Sequence, residues 1–162
     1  MGKRARTLVL VLLAAAVAAA GGAAALPRPG DRDTCPVCGM LVAKYPTWLA
    51  AAVYRDGHAD FFDGAKDLFK YEQNRARYAP GRRREDVAGL FVTEFYSLEK
   101  IDARQAYFVI GSDVLGPMGH ELVPLATRAD AQAFLEDHKG RRILVFDEVT
   151  PAVVAAVDDG RF

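Results

Sequence analysis

Sulfur-bearing residues are concentrated in two short segments of this chain. Cys35 and Cys38 share a six-residue stretch with Met40, and Met118 stands two positions before His120 much farther along. These segments hold every sulfur atom after the first residue, whereas residues that serve packing alone would be scattered through apolar segments. Thiolate, thioether and imidazole are donors that suit Cu(I). The clustering therefore predicts a Cu(I) site to which both segments contribute.

The spacing of Met118 and His120 favours chelation. Alternate residues of an extended strand point to one face, so two donors two positions apart can bind one ion. Gly119 between them lets the backbone come close to the ion or to an incoming partner. A thioether also forms no disulfide, which suits an oxidising compartment. The candidate metal ligands are Cys35, Cys38, Met118, His120, Met40 and His58.

Other interpretations of the same residues stay open. Met40 fits the core as well as a ligand role, and His58 fits a structural or exposed position at the end of a hairpin. The Cys-x-x-Cys pair fits a short structural disulfide or a thiol-disulfide oxidoreductase that uses Cys35 and Cys38. That enzyme needs a helix at its first cysteine, and the following residues carry no cap and no apolar helical face before Pro46. A zinc ribbon needs a second pair of ligands, and one cysteine pair stands alone here.

The first 25 residues have the three parts of a secretory signal peptide. A basic start precedes an apolar run at 8–20, and small residues at 23–25 suit cleavage near Ala25. An N-terminal membrane anchor is the alternative, but the run is short and alanine-rich for a membrane span. We therefore expect a periplasmic or otherwise extracytoplasmic protein, where adjacent thiols form a disulfide, a redox centre or a metal site.

Composition argues against a nucleic-acid partner. The chain has 21 basic and 21 acidic residues, and Lys3, Arg4 and Arg6 lie in the predicted leader. The remainder is slightly acidic, whereas nucleic-acid binding requires a basic face. Because 51% of the 162 residues are apolar, the chain can bury a core of its own. We predict a linker at 26–34 and one folded domain at 35–157.

The elements that must position the ligands follow the same order twice. In the first half, about 35–100, turn and periodicity signals predict strands at 48–54 and 59–62, a helix with Asp63 as its N-cap, and a strand at 90–96. In the second half, 101–157, they predict strands at 106–111 and 120–125, a helix capped by Thr127, a strand at 142–146 and a short helix after Thr150. The fold class we expect is α+β, with duplicated strand-strand-helix-strand halves.

Two stretches of the sequence resemble the NosL family of nitrous oxide reductase accessory proteins. They are the motif CPVCGM at 35–40 and the longer segment IGSDVLGPMGHEL at 110–122, and the resemblance covers nearly the whole chain after the leader. It implies a NosL-like α+β fold related to part of the organomercurial lyases, without the chemistry of those enzymes. It also implies a Cu(I)-binding metallochaperone, not an enzyme, that serves denitrification.

The resemblance further implies partners and ligands. Copper would be delivered to nitrous oxide reductase in cooperation with a membrane transporter of the same maturation system. Met118 and His120 match the thioether and imidazole positions of the family, and the thiolate would come from Cys35 or Cys38. Many family members carry a lipobox cysteine that anchors them to the membrane. Glycine and alanine occupy 21–23 here, so the sequence predicts no lipid anchor of that kind and leaves membrane attachment open.

Overall fold

The computed structural model describes residues 26–162, so the predicted signal peptide lies outside the described residues. Within this part of the chain the strands are β1 Ala50–Tyr54, β2 Ala59–Phe62, β3 Val87–Thr93, β4 Lys100–Asp102, β5 Tyr107–Ile110, β6 Leu115–Gly116, β7 Gly119–His120, β8 Val123–Leu125 and β9 Arg142–Val145. The α-helices are α1 Ala65–Gln73, α2 Arg75–Tyr78, α3 Arg128–Asp137 and α4 Pro151–Asp158. Short 3₁₀ turns lie at Val42–Lys44, Arg84–Asp86 and Phe146–Glu148.

Two antiparallel sheets with the same connectivity form the frame. The first has the strand order β2-β1-β3-β4 and the second the order β8-β5-β9. In each sheet the first strand of the half is central, and it pairs antiparallel with the second strand and with the strand that follows the helix. The predicted α+β class with duplicated halves is therefore confirmed.

The second half differs from the first by an inserted hairpin. Strands β6 and β7 pair with each other, with Leu115 opposite His120. In the sequence they lie between β5 and β8. The continuous strand predicted at 120–125 is wrong, because Glu121 and Leu122 separate β7 from β8. Glu121 is buried, and its carboxylate accepts a hydrogen bond from the backbone of α1 in the other half. This long-range contact bends the chain where the residue pattern alone suggested a strand.

Helix α1 joins the two halves through one apolar face. Ala65, Leu68 and Phe69 are buried on the face that the sequence predicted. The ring of Phe69 packs edge-on against Phe108 of the central strand β5, with 5.0 Å between the ring centroids. Burying a phenylalanine contributes roughly 1.5–3 kcal/mol. The helix is therefore held firmly between the first sheet and the second half.

The predicted caps of the last two helices are confirmed. The Thr127 side chain accepts a hydrogen bond from the backbone N–H of Asp130 at 3.1 Å, and the Thr150 side chain accepts one from that of Val153 at 3.3 Å. A hydroxyl at the N-cap satisfies one of the free N–H groups of the first turn. These caps fix where α3 and α4 begin.

The strand predicted at 90–96 is displaced toward the N-terminus. Strand β3 begins at Val87 and ends at Thr93. The Glu94 carboxylate accepts hydrogen bonds from the backbone N–H groups of Tyr96 and Ser97, which folds the chain into a turn directly after β3. In the described part of the chain, no helix has the length and apolar character that a membrane crossing requires.

Candidate metal centre

Two cysteines and two aspartates form a compact cluster beneath the surface. Cys35, Cys38, Asp63 and Asp67 each offer a ligand atom, and these atoms all lie within 4.8 Å of one another. The Cys35 thiol donates a hydrogen bond to Asp67 Oδ2 at 3.3 Å, and the Cys38 thiol donates one to Asp63 Oδ1 at 3.1 Å. Neither cysteine is in a disulfide. The cluster therefore presents two reduced sulfur atoms and two carboxylates to one small volume.

A tight loop holds the two thiols side by side. The backbone N–H of Cys35 donates to the carbonyl of Met40 at 2.9 Å, and that of Gly39 donates to the carbonyl of Cys35 at 2.8 Å. Gly39 has a φ of +80°, which a residue without a Cβ adopts at little cost. No helix begins at either cysteine. The two cysteines therefore lie in a turn and not at the start of a helix.

Asp63 lies at the junction between β2 and α1, and Asp67 lies in the first turn of α1. The prediction that Asp63 caps α1 is wrong, since the N-cap residue is Gly64 and its side chain makes no capping bond. Glu121 from the second half instead accepts the backbone N–H of Lys66 in the first turn at 2.6 Å. This partner leaves Asp63 free to face Cys38, and Asp67 lies one helical turn farther on, on the same side of the helix.

Burial keeps both thiols protonated. It raises the pKa of Cys35 far above its ordinary value, and it raises the pKa of Cys38 to about 12. Backbone N–H groups of Val37 and Cys38 bond to the Cys35 sulfur and oppose this rise, as the N–H of Met40 does at Cys38. Such bonds favour thiolate. The sulfur atoms therefore stay neutral until a cation replaces their protons.

The acidic half of the cluster has unused hydrogen-bonding capacity. Asp63 and Asp67 are 1% and 2% exposed. Among the described residues, Asp63 Oδ2 and Asp67 Oδ1 have no hydrogen-bond partner. Asp67 Oδ1 has an ion pair with Lys70 Nζ at 3.4 Å, which neutralises part of its charge. A buried carboxylate oxygen without a donor is costly, and at Asp63 Oδ2 a bound cation would satisfy it.

The second predicted segment lies on the inserted hairpin. Met118 is 44% exposed in the turn between β6 and β7, and His120 is half-buried at the end of β7. The assumption of an extended segment from Met118 to His120 is wrong, because Met118 lies in a turn and Gly119 has a φ of +81°. Strand alternation therefore does not decide which way these two side chains point.

Lys66 fastens the hairpin to α1. Its ammonium donates to the carbonyl of His120 at 2.7 Å and to that of Met118 at 3.2 Å. It also pairs with Asp158 of α4 at 3.1 Å, and its side chain is only 2% exposed. A buried ammonium requires such partners. The hairpin backbone is thereby held while the Met118 side chain remains exposed.

The imidazole of His120 packs against the C-terminal residues. Its ring lies edge-on to Phe162, with 5.0 Å between the centroids. A Cβ on Gly160 would lie 3.3 Å from Nε2 of His120, which is tighter than ordinary contact. The absence of a side chain at Gly160 therefore leaves this nitrogen unobstructed on that side.

The first turn of α1 connects the two predicted segments. Asp67 bonds to Cys35, and the preceding residue Lys66 bonds to the carbonyls of Met118 and His120. The segments are thus neighbours in space although they lie far apart in sequence. His120 is nevertheless not part of the cluster of mutually close ligand atoms. In the described residues the structure forms two adjacent groups of donors.

The remaining candidates lie elsewhere or play backbone roles. His58 is exposed at the end of the β1–β2 hairpin, where its Nε2 lies 3.0 Å from Asp60 Oδ1, and it does not belong to the cluster. Met40 is half-buried and contributes its carbonyl to the cysteine loop.

Sequence reasoning missed Asp63 and Asp67. Two aspartates four positions apart at the start of a helix share one face, and they directly follow a buried strand end. That spacing was the available signal. Asp63 was instead interpreted as the N-cap of the helix, so it was not considered as a metal ligand.

The sequence matches known proteins over most of the described residues. The NosL family model matches residues 28–154. The chain is 33% identical over 125 residues to the copper-binding lipoprotein NosL of Stutzerimonas stutzeri, a match that covers 76% of this chain and 65% of that protein. The chain therefore spans somewhat less than two thirds of the length of that curated relative.

Two solved structures are also similar. The crystal structure of the copper chaperone NosL from Shewanella denitrificans superposes with a TM-score of 0.66 at 25% identity, over 78% of this chain and 96% of the other. The solution structure of apo-NosL from Achromobacter cycloclastes gives a TM-score of 0.45 at 25% identity, over 65% and 87% of the two chains. Since the family model spans most of the sequence, the chain belongs to the NosL family.

Proposed function

We propose that this protein is an extracytoplasmic metallochaperone whose cargo is Cu(I). Met118 and His120 are the proposed ligands at the surface, and Cys35 or Cys38 is the proposed thiolate donor. The relatives named above are a copper-binding lipoprotein and a copper chaperone, which supports a carrier role rather than an enzymatic one. Thiolate, thioether and imidazole together suit Cu(I) better than they suit harder ions.

One observation carries the proposal: the sulfur-bearing loop and the Met118–His120 hairpin are fastened to the same turn of α1. The residue that bonds Cys35 is Asp67, and its neighbour Lys66 holds the hairpin carbonyls. The loop and the hairpin therefore lie beside one another on this shared support. This shared support favours one cargo for residues 35–40 and 118–120.

Exposure suits transfer of the ion. Met118 is 44% exposed, while Cys35 is 1% exposed. An acceptor protein can approach the thioether and the adjoining imidazole from solvent, whereas the Cys35 sulfur is closed off. A carrier must release its ion to another protein, so accessible ligands of this kind favour exchange over permanent storage.

The competing oxidoreductase function fits the cysteines poorly. A nucleophilic cysteine of that class has a lowered pKa and lies at a helix N-terminus. Here burial raises the pKa of both thiols, and the cysteines lie in a turn. We expect no reduction of insulin disulfides by the metal-free protein.

The proposed client is nitrous oxide reductase, with the membrane transporter of the same maturation system as the second partner. Family membership supports this assignment, as does the copper chaperone name of the structural relative. We further propose a periplasmic location and a role in denitrification. The copper-binding relative is named as a lipoprotein, which supports a place outside the cytoplasm.

The direct test is a competition titration with a chromophoric Cu(I) chelator under anaerobic, reducing conditions. We expect the Met118→Ala/His120→Ala variant to lose at least about 100-fold in Cu(I) affinity, because two ligands are removed. The His58→Ala variant, which changes an exposed histidine outside the cluster, should bind as the wild type does. Unchanged affinity in the double variant would refute Met118 and His120 as ligands.

A further inference from the structure

We propose that an apolar cavity lined by residues 26–29 and by Lys100 binds a small amphipathic carboxylate, with the Lys100 ammonium as the partner of the carboxylate group. The cavity measures about 430 Å³. Small-molecule sites occupy roughly 300–1,000 Å³. Its described wall includes neither cysteine and no residue of the Met118–His120 hairpin. The site therefore goes beyond the copper function proposed above and does not rest on it.

Aliphatic and proline side chains form most of the cavity wall. They are Leu26, Pro27, Pro29, Val42, Pro46 and Leu49. A proline has no backbone N–H, so these three positions offer a ligand no main-chain donor. Leu26 packs against the buried core to which Val42 and Leu49 belong, so the wall is attached to the body of the fold. Because burial of apolar surface is favourable, such a wall suits an aliphatic chain.

The charged groups of the wall are both cations. Lys100 and Arg28 line the cavity, and no acidic residue of the described chain does. Arg28 is exposed, whereas Lys100 is half-buried. Burial lowers the pKa of Lys100, and no carboxylate of the described residues opposes that shift. A half-buried ammonium without a counter-ion is costly, and an anionic ligand would supply the missing partner.

The register of the first sheet places the Lys100 side chain on the side of the cavity. Lys100 of β4 is paired with Thr93 of β3. Directly opposed residues of an antiparallel pair share one face of the sheet. The Thr93 hydroxyl donates to the carbonyl of Leu49, a residue of the cavity wall, at 2.6 Å. The Lys100 side chain therefore leaves the sheet on the face where the apolar wall begins.

A single negative charge on one aliphatic chain fits this cavity best. One half-buried ammonium balances the one charge of a carboxylate, whereas a phosphate monoester carries close to two charges at neutral pH. Such a monoester would need further donors, which the proline positions do not provide. A singly charged head on an aliphatic chain is also found in membrane phospholipids, but these carry two chains. We assign the free carboxylate because the cavity has room for one short chain.

Decanoate, used as a monomer in solution, is the probe that tests this site. Trp48 is the only tryptophan of the chain and precedes Leu49 of the cavity wall, so its fluorescence reports on the cavity. We expect a saturable change of this fluorescence and a stoichiometry of one in isothermal titration calorimetry. Decan-1-ol has the same chain without the charge, and it should bind at least about 10-fold more weakly.

Variants separate the charge from the apolar wall. Lys100→Met should lower decanoate affinity at least about 10-fold and leave decanol affinity unchanged. Lys100→Arg keeps the charge and should stay within about threefold of the wild type. Lys44→Met is the matched control, because Lys44 is exposed and outside the wall although its neighbour Ala43 lines the cavity. Ala43→Leu adds atoms to the cavity and should weaken the binding of both probes.

Three results would overturn the inference. The first is a wild-type protein that shows no saturable binding of decanoate. The second is a Lys100→Met variant that binds decanoate as tightly as Lys44→Met does. The third is binding to phosphatidylglycerol vesicles alone, which would assign the surface to a membrane. Met118→Ala/His120→Ala should bind decanoate as the wild type does, so failure of the copper proposal and failure of this one can be told apart.

Discussion

Replacing Lys66 by methionine should loosen the Met118–His120 hairpin and destabilise the whole fold. The ammonium donates to two carbonyls at 2.7 and 3.2 Å and is 2% exposed on its side chain. A hydrogen bond from a charged group contributes about 1.5–3 kcal/mol. The ion pair with Asp158 adds little, because Asp158 is 38% exposed and keeps Lys70 at 2.9 Å. We therefore expect Lys66→Met to lower the free energy of unfolding by about 3 kcal/mol.

Urea unfolding followed by circular dichroism measures this change, with linear extrapolation to zero denaturant. Methionine has nearly the same helix propensity and length as lysine, so the loss reports the ammonium itself. Lys44→Met is the matched control, since Lys44 is exposed at the end of a 3₁₀ turn, and it should stay within about 0.5 kcal/mol of the wild type. A Lys66→Met protein as stable as this control would refute the proposed fastening of the hairpin.

Two other predictions concern Glu121, which links the halves. Burial raises the pKa of Glu121 from 4.5 to about 7. Protonated Glu121 therefore stabilises the fold most below pH 4.5. As the pH rises to 7, the free energy of unfolding should fall by up to roughly 3 kcal/mol. Glu121→Gln should flatten the stability profile between pH 5 and 7 in urea unfolding, and an unchanged slope would contradict the assignment. A Cβ at Gly64 would overlap the Glu121 carboxylate, and two backbone N–H groups hold that carboxylate in place. Gly64→Ala should therefore lower the free energy of unfolding by about 1–3 kcal/mol. Gly30→Ala, where the nearest atom would lie 3.8 Å away, should be nearly neutral in the same assay, and equal stabilities of the two variants would be incompatible with this packing.

The repeated fold could be predicted because its signals are local. The turn at 55–58, the return strand at 59–62 and the Thr127 cap each depend on a few neighbouring residues. The structure places them as expected. Since both halves carry the same order of signals, the shared connectivity of the two sheets followed from the sequence.

Long-range contacts explain where the prediction failed. Glu121 caps α1 from the opposite half, across 55 positions of sequence. No residue near Asp63 indicates this contact. The local rule therefore assigned the cap to Asp63, and a ligand candidate was lost. The same contact broke the strand predicted at 120–125. The short hairpin of β6 and β7 was likewise expected to be an irregular connection followed by a strand.

The donor residues themselves could be recognised from sequence because their chemistry is rare. Cysteine, methionine and histidine seldom cluster without reason, and both clusters lie against α1. Their division into two adjacent groups could not be foreseen. It depends on how α1 is oriented by Phe69 and by Lys66, which are packing and charge contacts between elements distant in sequence.

X-ray absorption at the copper edge of protein loaded with one equivalent of Cu(I) tests the central claim most directly. We expect sulfur scattering together with the multiple-scattering pattern of a single imidazole, and loss of that pattern in His120→Ala. A wild-type spectrum with oxygen and nitrogen neighbours alone, or an imidazole pattern that survives in His120→Ala, would contradict it.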